Sequence, residues 1–176
     1  SVSIDPETIW HAFLAVTRAL GEDARRIQCV APCALSPSLV LMDREGRALY
    51  PAILHWDRRS AREARESLAV IGKEDFLGKA GNIPYPGSIS LPGLLWIRRH
   101  EPGVFARCFM AGHMSTFFLR RLTGQWAFDP TNASLTGLYD TVGRTGWIDG
   151  FCRELGIPRG ILPPIVECTA TVGSVT

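Results

Sequence analysis

Long apolar runs are missing from this sequence. No segment approaches the ~18 continuous apolar residues that a bilayer-crossing helix needs, and no basic-then-apolar leader opens the chain. Charge of one sign is equally scarce. Nineteen basic residues stand against 17 acidic ones, a net +2, which is too even for a nucleic-acid partner. The five cysteines, Cys29, Cys33, Cys108, Cys152 and Cys168, are odd in number and irregular in spacing. That pattern excludes a secreted disulfide scaffold. It also lacks the second close pair that a structural zinc site uses. Reduced thiols in a cytoplasmic protein are the expectation, with no membrane and no metal site. There is no internal repeat either. What remains is 46% apolar and 20% charged residues over 176 positions, the make-up of one globular domain with a real core.

Asp5-Pro6-Glu7 is a strong helix start, because Asp caps the free amides and Pro loses nothing at the first helical position. Ile9, Trp10, Phe13, Leu14, Val16 and Leu20 follow at helical spacing, and Gly21 stops the run. Trp10 reads as core and His11 as surface. Residues 27–33 read as a buried strand and residues 39–43 as a second. A turn centred on Gly46 then joins residues 39–43 to a third strand in residues 50–56. The pattern predicts helices over 60–71, 94–100, 115–123 and about 147–155, with 81–93 as a Gly- and Pro-rich loop. The segment 129–140 reads as irregular, held by Asn132, Ser134, Thr136 and Asp140 bonding to nearby backbone. His100 and His113 are expected at helix ends or on the surface. Strands early and helices late predict an α/β or α+β fold, a mixed sheet with helices on its faces.

One stretch asks for more than a turn. "ILHWDRRS", residues 53–60, runs from an apolar strand straight into His55, Trp56, Asp57, Arg58 and Arg59. A ligand dense in hydroxyls needs carboxylates and amides for its oxygens and an apolar or aromatic wall for its carbon face. Asp57 could accept two hydroxyl hydrogens. The planar fork of Arg59 could orient Asp57 or meet a substrate carboxylate. Strand alternation puts His55 and Asp57 on one face and Trp56 behind them. A plainer reading stands beside this one: Asp57 caps the next helix, and Arg59 pairs with Glu63 one turn on. Ser36 and Ser38 lie on a strand-end loop, a usual ligand position in α/β sheets, or serve as turn residues. Nothing pairs a Cys with a His in the sequence, which leaves a cysteine-based hydrolase a weak rival.

Five pieces, in order, resemble the amino-terminal domain of the FGGY carbohydrate kinases: "IDPETIW", "SLVLMDREGRALYPAILHWDRRS", "SLPGLLWIRRHEP", "LRRLTGQWAFDPTNASLTGLYD" and "GWIDGFCRELGIPRGILPPIVE". The resemblance covers nearly the whole chain as a single domain, 1–176. It implies a ribonuclease H-like, actin-like ATPase fold, incomplete at both ends, with the ATP-binding domain absent. It implies ATP-dependent phosphorylation of a sugar, polyol or sugar-acid hydroxyl in the full-length protein. ATP and Mg2+ would be bound mostly by segments outside the chain, and the catalytic Asp base would lie beyond Thr176. No residue here is then catalytic. His55, Trp56, Asp57, Arg59, Ser36 and Ser38 become the expected acceptor-binding residues. The fragment alone is expected to be inactive, and a homodimer is left open. The family's Asp-x-Gly-Thr phosphate motif does not precede Asp5. His55 stands where the family usually has Trp, Gly93 where Lys is common, and residues 35–38 read Leu-Ser-Pro-Ser. These departures fall where sugar specificity is set. A non-catalytic sugar-binding or scaffold module descended from the kinases is the alternative.

Overall fold

Asp5 starts the first helix as its side chain allows: its Oδ1 accepts from the Glu7 amide at 3.0 Å, with Pro6 at the first helical position. The computed structural model of the chain describes residues 2–175. Helix α1 (Pro6–Ala19) turns Trp10 inward, where its ring meets Phe13 at 5.4 Å and Phe118 at 5.6 Å. Four strands form one sheet: β1 (Ser3–Ile4), β2 (Ser38–Met42), β3 (Ala52–Leu54) and β4 (Met110–His113), in the order β1-β3-β2-β4. Ile53 faces Ser3 on one side and Leu39 on the other, and Leu39 faces His113.

Every ladder in the sheet is antiparallel, so the expected mixed pairing is corrected. For β2 and β3 the physical reason is local. β2 and β3 are joined by a tight turn in which Asp43 Oδ1 accepts from the amides of Glu45 (3.0 Å) and Arg47 (2.9 Å). A connection that short permits only antiparallel neighbours. Parallel pairing occurs as single bridges, such as Phe128 to Ile165.

The sheet is buried on both faces. Along β2, Leu39 and Leu41 join the cluster of Ile53, Leu94, Ala111 and Phe151, while Val40 and Met42 join that of Trp10, Ala52, Met114 and Phe117. Strand alternation thus feeds two cores. α1 and α6 (Met114–Thr123) cover the second face, tied by Arg121, which pairs with Glu7 at 3.1 Å and lies 5.0 Å over Trp10. The first face carries α2 (Ala61–Ile71), α4 (Leu91–His100), α5 (Pro102–Arg107), α7 (Pro130–Ser134) and α8 (Asp149–Glu154), with the short, exposed α3 (Lys73–Asp75) leading from α2 to the buried Phe76. No helix among the described residues is long and apolar enough to cross a membrane.

The strand expected at 27–33 does not form. Residues 27–33 follow a 3-10 turn (Gly21–Arg26) as extended coil, pairing with no strand among the described residues, and Ile27 and Val30 stay exposed. Pro32 has no N–H to give a ladder, and apolar composition alone supplies no partner edge. Helix α4 starts three residues earlier than Leu94, because Pro92 is tolerated in a first turn.

Candidate functional site

Three segments meet at the end of β3: the turn 55–60, the loop 35–38 and the stretch 85–90 leading into α4. They enclose a cavity of about 10 Å3 lined by His55, Asp57, Ser60, Pro37, Gly87 and Ser90, floored by Leu39, Ile53 and Gly93. That is the space of a single water-sized group. Two glycines bring the walls together. A Cβ on Gly87, which has φ +83°, would lie 1.6 Å from the His55 carbonyl oxygen. A Cβ on Gly93 would lie 3.3 Å from Leu39 Cδ2, so α4 sits close on the sheet because that position is bare.

Asp57 lines the cavity and is only 2% exposed. Its Oδ1 accepts from the Arg59 amide (2.8 Å) and Arg59 Nε (3.0 Å). Its Oδ2 accepts from Arg59 Nη2 (2.9 Å) and from the Val2 amide. A carboxylate has about four acceptor directions, so the protein itself occupies all of them. Burial would raise the Asp57 pKa, but the Arg59 side chain, the two amides and the Arg59 charge outweigh it and hold the carboxyl below its usual range. Arg59 is the orienting fork: it also reaches Tyr50 Oη at 3.3 Å and lies 5.0 Å over Trp96. The helix cap is not made by Asp57, since Ser60 holds the N-cap position of α2. Nor does Arg59 pair with Glu63, which is taken by Arg99 at 2.6 Å.

His55 lines the cavity, half-buried, with Nδ1 sealed from solvent and without a hydrogen-bond partner among the described residues. Trp56 is not behind it. β3 ends at Leu54, the chain turns, and strand alternation no longer applies. Trp56 is instead 46% exposed, its ring edge-on to His55 at 4.1 Å. The rim continues with Arg58, which donates to the Pro86 carbonyl and lies 5.3 Å over Tyr85.

The loop 35–38 is held at both serines. Ser38 Oγ donates to the Leu35 carbonyl at 2.5 Å and accepts the Met114 amide at 3.2 Å, which fastens the loop to the start of α6. Ser36 Oγ donates to Asn132 Oδ1 at 2.5 Å. Asn132 is anchored in turn, its Nδ2 donating to Asp129 Oδ2 at 2.7 Å, which leaves Oδ1 facing the loop. The same Oδ1 lies 3.3 Å from His113 Nδ1, and His113 Nε2 lies 3.1 Å from Ser90 Oγ. An amide oxygen only accepts, so Nδ1 carries the proton and Nε2 accepts from Ser90.

His113 is therefore not a surface residue. It sits at a helix end, as expected, but is completely buried between β4 and α6, edge-on to Phe128 at 4.9 Å. Burial pushes its pKa down to about 4, against the opposing pull of the Asn132 hydrogen bond and the Asp129 charge. Asn132, His113 and Ser90 are the site residues that sequence reasoning missed. Asn132 was assigned to local backbone bonding, which holds for Ser134, Thr136 and Asp140: Ser134 donates to the Thr131 carbonyl, Thr136 to that of Ala133, and Asp140 accepts the Gly143 amide.

The cysteines do not build a nucleophile. Cys29, Cys33 and Cys168 are exposed, Cys152 is buried, and burial pushes the Cys108 thiol up to about 12. Among the described residues no three His, Cys, Asp or Glu side chains converge on a metal-sized space. The base expected past Thr176 lies outside the described residues.

A family model for the amino-terminal domain of the FGGY carbohydrate kinases matches residues 1–176. The chain belongs to the FGGY family of carbohydrate kinases. It is 32% identical over 180 residues to a glycerol kinase of Thermococcus gammatolerans, covering 98% of this chain and 36% of that protein. It is 29% identical to an autoinducer-2 kinase of an Enterobacter species over the whole of this chain and 34% of the relative. The xylulose kinase of Rhodospirillum rubrum superposes with a TM-score of 0.90 at 29% identity, over 99% of this chain and 37% of that one. The fold is thus the ribonuclease H-like, actin-like ATPase fold of these kinases. The chain spans about a third of the length of the curated relatives it matches.

Proposed function

We propose that this chain is the acceptor-binding part of an ATP-dependent kinase that phosphorylates a hydroxyl of a sugar, polyol or sugar acid. The observation that carries the reading is the cleft at the end of β3, where Pro37, His55, Gly87 and Ser90 converge on a space for one small polar group. The family likeness supports the same assignment. An acceptor would lie across the mouth of the cavity and send one hydroxyl into it. Ser90 offers a hydroxyl, Ser36 stands beside the lining residue Pro37, and the His55 ring with Trp56 at the rim offers an aromatic wall. Asp57, Arg59 and Ser38 hold the turn and the loop that carry these groups.

Phosphoryl transfer rests on positioning and charge stabilisation. The role of this chain is positioning: it fixes the acceptor and performs no proton transfer. ATP, the Asp base and Mg2+ belong, in this reading, to segments outside the chain. Among the described residues no group of His, Cys, Asp or Glu side chains fits a metal. A cytoplasmic enzyme, as monomer or homodimer, completes the reading on the family likeness alone.

The test is a thermal-shift screen of the full-length protein against pentoses, hexoses, polyols and sugar acids, followed by ATP turnover with the compounds that bind. A stabilising compound that is also phosphorylated supports the reading. Binding with no turnover would turn it toward a sugar-binding module, and no binding of any polyhydroxylated compound would overturn it.

A further inference from the structure

The walls of the cleft come from segments far apart in the chain, yet one continuous hydrogen-bonded line joins two of them through the interior. Loop 35–38 carries Ser36, and Ser36 ends on Asn132. Asn132 meets His113, and His113 ends on Ser90 at the head of α4. Pro37, next to Ser36, and Ser90 both line the cavity. A second cavity of about 10 Å3 lies behind, lined by His113 and Thr136 and sharing Leu39 and Ser90 with the first. Ser90 therefore stands as a partition with space on either side, and its hydroxyl is directed by His113.

We propose that His113 and Asn132 are positioning residues that fix the spacing between loop 35–38 and Ser90, and thereby set which acceptor the cleft admits.

Three features support the assignment. His113 is fully buried with both ring nitrogens engaged, so its ring cannot turn without leaving a buried polar atom unpaired. Asn132 cannot flip, because its amide nitrogen is held by Asp129. Neither side chain is among the residues lining the first cavity, so both act through Ser36 and Ser90. The selectivity claim rests on the acceptor-binding reading above; the claim that the network holds the loop does not.

The experiment uses the full-length protein and Asn132→Ala, His113→Leu and His113→Asn variants. His113→Asn keeps a donor toward Asn132 and is the conservative rescue. Hydrogen exchange is followed on peptides covering 35–38 and 88–91, with α2 as reference. Faster exchange in both peptides of Asn132→Ala and His113→Leu, and near wild-type exchange of 35–38 in His113→Asn, is expected. Unchanged exchange would overturn the proposal whatever the enzyme's activity.

Kinetics then separate positioning from bulk destabilisation. The acceptor KM of Asn132→Ala should rise roughly tenfold while the ATP KM stays within about twofold, the scale of one lost hydrogen bond. The ratio of kcat/KM between acceptors one carbon apart should narrow. A fall in kcat alone, with acceptor KM and selectivity unchanged, would reduce the network to a structural role and overturn the proposal. Absence of turnover in the wild type would instead refute the kinase reading and the selectivity claim, leaving exchange to decide the rest.

Discussion

Arg59 grips Asp57 with one edge of its guanidinium, Nε to Oδ1 at 3.0 Å and Nη2 to Oδ2 at 2.9 Å. The two residues are two positions apart, and the pair is nearly sealed, with 11% of the Arg59 side chain and 1% of the Asp57 side chain exposed. The Val2 amide completes the set, so one carboxylate ties the chain before β1 to the turn after β3. In the acceptor-binding reading proposed above, Asp57 acts indirectly, by holding the turn that carries His55.

Asp57→Ala leaves the Arg59 cation largely buried and unpaired. Breaking a buried pair from one side costs about 3 kcal/mol, and that loss is expected in urea unfolding of the chain. Replacing both residues with apolar ones of similar size should restore part of it, since the cation goes too. In the full-length enzyme the acceptor KM should rise more than the ATP KM. Equal changes in the two KM values would detach Asp57 from the acceptor side.

Features that depend on neighbours in sequence were legible without coordinates. Asp5-Pro6 announces α1, Asp43 and Gly46 announce the β2–β3 turn, and the spacing of Ala61, Ala64, Leu68 and Ile71 announces α2. The pairing of Arg59 with Asp57 was one of two readings open from composition. β4 was not legible: Met-Ala-Gly-His has four buried residues, a glycine among them, and no polar face to give a period. Residues 27–33 misled in the opposite way, being apolar without a partner. The Ser36–Asn132 contact spans 96 positions. Nothing in either local sequence signals it, because a lone Asn in a Ser- and Thr-rich stretch matches local turn chemistry equally well. The sequence places His113 at a helix end or on the surface, and only the closing of α6 over β4 buries it.

The buried imidazole makes stability depend on pH. In the unfolded chain His113 titrates near 6.5, while in the fold it is pushed down to about 4. Between those values the unfolded chain binds the extra proton, so stability falls as the solution is acidified through that window. Across that window the full effect is about 3 kcal/mol. Asp57, whose folded pKa lies below 3.8, loses its contribution only at lower pH, as the carboxyl protonates. Unfolding free energies measured from pH 7 to pH 4 should slope downward in the wild type and flatten in His113→Leu. Parallel slopes in the two proteins would show that His113 is not the titrating group.

Gly87 sets the last wall. With φ at +83° it occupies backbone space that an L side chain enters at a cost of about 1–2 kcal/mol. A methyl there would also overlap the His55 carbonyl oxygen at 1.6 Å, and no rotamer change relieves a clash with backbone. Gly87→Ala should therefore lift stretch 85–90 off the turn that bears His55, breaking the bond from Arg58 to the Pro86 carbonyl. The thermal midpoint should drop, and the acceptor KM should rise with little change in the ATP KM. Gly103→Ala is the matched control: Gly103 lies in α5 and a Cβ there meets nothing within 4 Å. Alanine favours a helix over glycine by roughly 1 kcal/mol, so that variant should hold or gain stability. If Gly87→Ala behaves like Gly103→Ala, the close approach of stretch 85–90 to His55 does not shape the cleft.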